Sequence, residues 1–201
     1  TADEKGFRIS DGRGAVLITK TVEIVDEVEV SRTNVALEAS GGIALTGIPD
    51  LTLSAERMTV QVNTTDVEVN EQIATGEFDS EGAPVIVDLT VAANTFRFTG
   101  DNIVFAIDKF VNITGSFAVT KTSDIIVPLS DGNDLVVDQL LISAVDVNAF
   151  IGVNGPATSA DAIGLNVVSG NVALALMSVK QAESPAASDP IDKRSFTAMK
   201  M

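Results

Sequence analysis

The chain has 201 residues, of which 45% are hydrophobic, and its 28 acidic and 13 basic residues give a formal net charge of −15. This length allows a substantial buried core, and this hydrophobic content is too high for a disordered chain. The acidic surface repels phosphate backbones, so we expect no nucleic-acid partner. The chain has no His, Cys, Trp or Tyr, which excludes disulfides, thiolate zinc sites and catalysis by histidine or cysteine. No apolar run reaches about 18 residues, so we also expect no membrane insertion.

Short strands are predicted along most of the chain, because hydrophobic and polar residues alternate with a period of two. The first is "VEIVDEVEV" at 22–30, in which Val and Ile alternate with acids. Further segments of this kind follow at 35–40, 42–47, 51–56, 58–63, 96–100, 102–107, 110–115 and 116–121. No window has a convincing helical period, so the sequence predicts an all-β fold.

One pattern occurs three times, about 45 residues apart, at 50–63, 95–108 and 139–152. In each copy a pair of small residues interrupts the alternation of apolar and polar residues. These pairs are Ser54-Ala55, Thr99-Gly100 and Ser143-Ala144. Links this short cannot hold crossover helices, and small residues suit the tight corners of a β-solenoid. The sequence therefore predicts a β-solenoid of short strands that resembles a parallel β-helix, with a β-sandwich as the alternative.

A second, longer repeat relates the two ends of the chain. Residues 6–18 match residues 164–176 without a gap at an offset of 158, and residues 32–39 match 194–201 at an offset of 162. A loop of different length would account for the four-residue difference. This predicts a tandem module of about 160 residues.

The domain organisation follows from that repeat. Residues 1–34 are predicted to end one copy, residues 35–180 to form the main module, and residues 181–201 to be a linker and the start of the next copy.

Several strings resemble the repeat regions of giant secreted bacterial surface proteins, the large adhesins and hemolysin-like repetitive proteins. They are "GGIALTGIPDLTLSAERMTVQVN", "VNITGSFAVTK", "VNAFIGVNG" and "SGNVALALMS". The resemblance implies an extended, repeated β-structure that is secreted and displayed at the cell surface. Its implied partners are other copies of the same repeat or protein and cell-surface polysaccharide. The calcium-binding nonapeptide G-G-x-G-x-D of the RTX proteins is absent, so the resemblance does not imply calcium binding through that motif.

One acidic loop is a candidate calcium site. The stretch "SDGNDLVVD" offers oxygen ligands from Asp131, Asn133, Asp134 and Asp138, and hard cations prefer several oxygens from a flexible loop. The spacing lacks the glutamate of an EF-hand, since Ile142 stands there. Asp and Gly also form turns without any metal, which is the alternative interpretation.

No motif predicts catalysis, so we expect a structural protein and not an enzyme. The predicted function is a repeat module of an extracellular adhesin, filament or surface-layer protein, whose acidic surface is bridged by divalent cations. One alternative is a carbohydrate-active β-helix similar to polysaccharide lyases, which use Asp, Arg and Lys. The other is a calcium-dependent binding module.

Overall fold

A computed structural model describes residues 5–25, 28–130, 132–180 and 193–201. Within these ranges the chain is all-β and contains no helix, so the predicted fold class is confirmed. The ten strands are β1 (Gly6–Val25), β2 (Val28–Thr46), β3 (Leu51–Asn63), β4 (Val69–Phe78), β5 (Pro84–Val91), β6 (Thr95–Ile107), β7 (Val111–Pro128), β8 (Asp134–Val153), β9 (Ile163–Val179) and β10 (Ser195–Lys200).

Eight of these strands form one antiparallel sheet in the order β1-β2-β3-β6-β7-β8-β9-β10, and β4 pairs with β5 in a separate hairpin. Every neighbouring pair is antiparallel. The predicted solenoid is therefore wrong, because a parallel β-helix needs successive coils to run in the same direction. The chain instead turns back on itself after each strand.

The solenoid prediction failed because the short predicted strands are halves of long ones. Residues 35–40 and 42–47 both belong to β2, and the two halves of β3, β6 and β7 are joined in the same way. The small-residue pairs lie beside β-bulges in the middle of strands and not at corners. A bulge adds one residue to one strand of a pair, so it interrupts a period-two pattern just as a corner does.

The threefold pattern in the sequence corresponds to β3, β6 and β8, and the bulge explains its spacing. In these strands the alternation resumes three positions after a small residue, from Ala55 to Met58 and from Gly100 to Ile103. In β8 the same step runs from Ala144 to Val147. The extra residue in each bulge keeps the apolar side chains on one face of the sheet along the whole strand.

Three of the reversals between the long strands contain an Asp or Asn residue with a left-handed backbone. Asp50, Asp108 and Asn154 adopt left-handed backbone conformations, with φ of 59°, 42° and 57°. Asp and Asn tolerate this conformation better than other non-glycine residues, because their short side chains hydrogen-bond locally. The turns at Asp50 and Asp108 therefore form without the Asn-Gly or Asp-Gly pairs that most often mark hairpins, whereas Asn154 is followed by Gly155.

The buried core is small and lies under the β4–β5 hairpin. Leu89 and Val91 of β5 pack on Ala15 of β1 and Ala36 of β2. Small Ala side chains on the sheet let the hairpin approach closely, and this second layer covers only part of one face.

Asn63 anchors the start of the hairpin excursion and is almost fully buried. Its Nδ2 donates to the carbonyl oxygens of Val67 (2.8 Å) and Val91 (3.1 Å), and its Oδ1 accepts from Thr65 N at 2.9 Å. Its side chain thus binds both the loop that follows β3 and the end of β5.

We expect Asn63→Ala to lower the free energy of unfolding by about 2–3 kcal/mol, because buried backbone groups lose their partners. Urea denaturation followed by circular dichroism measures this effect. Asn70→Ala is the matched control: its exposed side chain accepts one hydrogen bond from Thr90, and we expect a change below about 0.5 kcal/mol. Equal losses in the two variants would contradict the anchoring role of Asn63.

Candidate interaction surfaces

One face of the large sheet is made almost entirely of apolar side chains. Residues paired directly across antiparallel strands point to the same side, and one such row contains Leu53, Phe105, Ile113, Ala149 and Val167. We call the surface formed by these rows the apolar face. Following the register through the bulges, its members from the first to the ninth strand are Phe7, Ile9, Gly14, Val16, Ile18; Val35, Leu37, Ala39, Gly41, Ile43, Leu45; Leu51, Leu53, Ala55, Met58, Val60, Val62; Phe96, Phe98, Gly100, Ile103, Phe105, Ile107; Val111, Ile113, Gly115, Phe117, Val119, Lys121; Leu140, Ile142, Ala144, Val147, Ala149, Ile151, Val153; and Ile163, Leu165, Val167, Gly170, Val172, Leu174, Leu176.

No other described element covers this apolar face. Ile9 and Ile163, near its two ends, are 73% and 71% exposed, and Phe96 in the middle is 46% exposed. The hairpin lies on the opposite face, where Ala15 and Ala36 point. The exposure is therefore continuous across the sheet.

The apolar face is large enough to be an interface. Seven strands about 4.8 Å apart, with 13 residues in β6, give a surface of roughly 29 by 43 Å, or about 1,200 Å². Monomeric proteins rarely expose apolar patches above about 600 Å², and a standard interface buries about 800 Å² per partner. This face exceeds both values.

The opposite face, which we call the polar face, carries mainly polar side chains outside the hairpin contact, with Val104, Leu141 and Phe150 as apolar exceptions. Thr59, Thr99, Thr120 and Gln139 point to this side. Near the bulges its side chains form cross-strand hydrogen bonds: Asn102 Nδ2 donates to Glu56 Oε2. The apolar face contains one charged residue, Lys121, which lies in its outermost row between Phe96 and Leu140. Asp138, two residues before Leu140 in β8, continues the same side of the sheet beyond that row.

The two terminal hairpins of the sheet pair in the same register. Ala15 of β1 lies opposite Glu38 of β2, and Ala173 of β9 lies opposite Lys200 of β10. Ala173 and Lys200 stand 158 and 162 positions after Ala15 and Glu38, which are the two offsets of the sequence repeat. The strands thus match in pairing as well as in sequence, and the four-residue difference lies in the connection between them.

The residues predicted to bind calcium are only partly brought together. Asp131 lies outside the described residues. Leu129 N donates to Asn133 O at 2.8 Å and closes the turn between β7 and β8, and Asp134 is the first residue of β8. Asp138 lies four residues further along the same strand, about 13 Å from Asp134, which is too far for both to bind one ion at 2.3–2.6 Å.

The carboxylate of Asp138 is nevertheless unusual, because its Oδ1 is buried without a hydrogen-bond partner. No group of three or more acidic residues placed to hold a metal occurs in the described part of the chain. Calcium binding stays a prediction, restricted by this geometry to the turn around Asn133 and Asp134.

Comparison with known proteins gives no match: the chain matches no protein-family model, no curated protein and no solved structure. The described ranges contain no helix that could cross a membrane.

Proposed function

We propose that the chain is a structural, non-catalytic repeat module of a secreted bacterial adhesin, filament or surface-layer protein. The observation that carries this proposal is the equivalence of the β1–β2 and β9–β10 hairpins in both sequence and pairing register. In a tandem array, β9 and β10 take the positions of β1 and β2 of the next copy. Each copy then adds strands to one antiparallel sheet, and copy number sets the reach of the protein.

We further propose that the apolar face is covered by the apolar face of another copy, which completes a β-sandwich. Two sheets that pack face to face lie about 10 Å apart and bury alternate side chains of each strand. The face supplies enough area for this packing. Its one charged residue, Lys121, is exposed and lies in the outermost row, so its ammonium group can stay in water at the rim of the sandwich and no unpaired charge is buried. The polar faces then form both outer surfaces of the assembly.

In this proposal the acidic outer surface controls how closely neighbouring assemblies approach one another. A net charge of −15 for each chain repels neighbouring assemblies, and divalent cations reduce this repulsion or bridge it. Cell-surface polysaccharide is the second partner that we propose, through the polar face.

The alternative of a calcium-dependent binding module makes a separate prediction. It requires millimolar calcium to raise the melting temperature markedly, and the double variant Asp131→Ala, Asp134→Ala to lose this rise. An unchanged melting temperature in calcium would dismiss that alternative. The lyase alternative was based on a parallel β-helix, and the antiparallel sheet removes that basis.

Two experiments test the proposed function. The gene on either side of this segment is expected to encode further copies at intervals of about 160 residues. Protease treatment of intact cells is expected to remove the segment from the cell surface. A gene with a single copy, or a protein that is protected in intact cells and released only by lysis, would contradict the proposal.

A further inference from the structure

We infer that the free edge of β1 is a docking site for strand β8 of another copy of this repeat. This inference rests on the proposed repeat function and adds a specific interface to it. Among the described strands, β1 pairs only with β2, so its other edge is open. Its equivalent β9 has a partner on that edge, and the partner is β8.

The first argument is a glycine whose small size has no local cause. Gly164 in β9 faces Gly152 in β8, and a Cβ on Gly164 would lie 2.4 Å from Ile151 O and 2.7 Å from Gly152 Cα. The equivalent residue in β1 is Gly6, and a Cβ there would meet nothing within 4 Å. A glycine at position 6 is explained if a β8 strand approaches β1 as closely as it approaches β9.

The second argument is a bulge that β1 and β9 share. Asp11 and Ser169 are equivalent residues, and both have left-handed backbones, with φ of 50° and 53°. In β9 the bulge faces the β8 strand, because Ser169 N donates to Asn148 Oδ1 at 3.1 Å. In β1 the bulge lies in the pairing with β2, between Ser10 and Arg13, so β1 has the backbone shape of β9 at the equivalent position and can present it to a β8 strand on its open edge.

Charge complementarity supports the same pairing. Asp146 N of β8 donates to Asn171 Oδ1 at 3.0 Å, so residues 146 and 171 meet at this crossing. The β1 residue equivalent to Asn171 is Arg13. A β8 strand docked on β1 therefore places Asp146 beside Arg13, where an ion pair with the Asp146 carboxylate replaces the bond that Asn171 accepts, since a guanidinium only donates.

The register of the contact follows from the β8–β9 pairing. Gln139 pairs with Met177 and Leu140 pairs with Leu176. At the offset of 158, Met177 corresponds to Thr19 and Leu176 to Ile18. The inferred pairs are therefore Gln139 with Thr19 and Leu140 with Ile18 of the following copy.

Disulfide trapping tests this register. Because the chain has no Cys, only the introduced cysteines can form a disulfide. The test protein is the full chain preceded by a second copy of residues 1–158, with Gln139→Cys in the first copy and Thr19→Cys in the second. A second variant combines Leu140→Cys with Ile18→Cys. The control combines Gln139→Cys with Thr21→Cys, which moves one cysteine two residues along the same face and beyond the separation of about 7 Å that a disulfide can span.

We expect both in-register pairs to form the disulfide on mild oxidation with a yield at least about tenfold above the control. Equal yields in all three variants, or a higher yield in the control, would overturn the inferred docking. Thermal melting of the reduced proteins separates the two levels of the account. If the two-copy protein melts above the single chain but the in-register disulfides do not form, the β1 edge is rejected as the docking site and the repeat function stands. If the melting temperature does not rise and the disulfides do not form, the repeat function is rejected too.

Discussion

A protein in which a second copy of residues 1–158 precedes the full chain is expected to melt at a higher temperature than the 201-residue chain. The added copy covers an open β1 edge with a β8 strand. Cross-strand pairs contribute roughly 0.2–1 kcal/mol each, so a ladder as long as that between β8 and β9 adds on the order of 3 kcal/mol. At about 2–4 °C per kcal/mol in a chain of this size, the expected rise is roughly 6–12 °C, measured by differential scanning calorimetry.

Gly6→Ala provides a matched control for this prediction. In the single chain the new methyl group meets nothing within 4 Å, so the melting temperature should stay the same. In the second copy of the two-copy protein, the same change should remove much of the gain, since the equivalent Cβ on Gly164 would lie 2.4 Å from Ile151 O. Equal melting temperatures for the one-copy and two-copy proteins would contradict the continuous sheet.

The second large effect is expected at the apolar face. We expect the chain to self-associate in solution, and Phe98→Asp to weaken this association by at least about 30-fold, or 2 kcal/mol. Phe98 lies on the apolar face between Val60 and Val119. A charge at that position has no partner in a face-to-face sandwich and cannot be buried without a large cost. Analytical ultracentrifugation over a range of concentrations measures the change.

Thr99→Asp is the control for that variant. Thr99 is the next residue in β6, and it points to the polar face beside Thr59 and Ala118. The same charge there should leave association unchanged. If both variants dissociate the chain equally, or if the unmodified chain is monomeric at high concentration, the sandwich proposal fails.

The all-β class was predictable because alternation is a local signal that survives any arrangement of strands. The direction of the strands was not predictable, because a bulge beside Ser54-Ala55 and a corner at the same pair interrupt the alternation of apolar and polar residues in the same way. The sequence pattern therefore predicts two short strands where the structure has one strand of up to 20 residues, and it predicts solenoid coils where the structure has antiparallel hairpins. Left-handed Asp50 and Asp108 were the turn signals that sequence reasoning missed.

The residues of the apolar face are visible in the sequence, but their alternation does not show what covers them. The residues that repeat in the three copies, such as Phe96, Phe105 and Ile142, are those that point to this face. Neighbours in one strand also separate as a regular strand requires: Phe150 is 4% exposed and Ile151 is 54% exposed. Whether a face is covered depends on elements distant in the chain or on another molecule, and local alternation does not encode that information.

The central claim is that successive copies continue one sheet through β8 and β1. Amide hydrogen exchange in the two-copy protein tests it directly, with Ile18→Val in the second copy so that peptides from the two β1 strands differ in mass. We expect the β1 amides of the second copy to exchange at least about tenfold more slowly than those of the first, because only the second is hydrogen-bonded on both edges. Equal exchange in the two β1 strands would contradict the account.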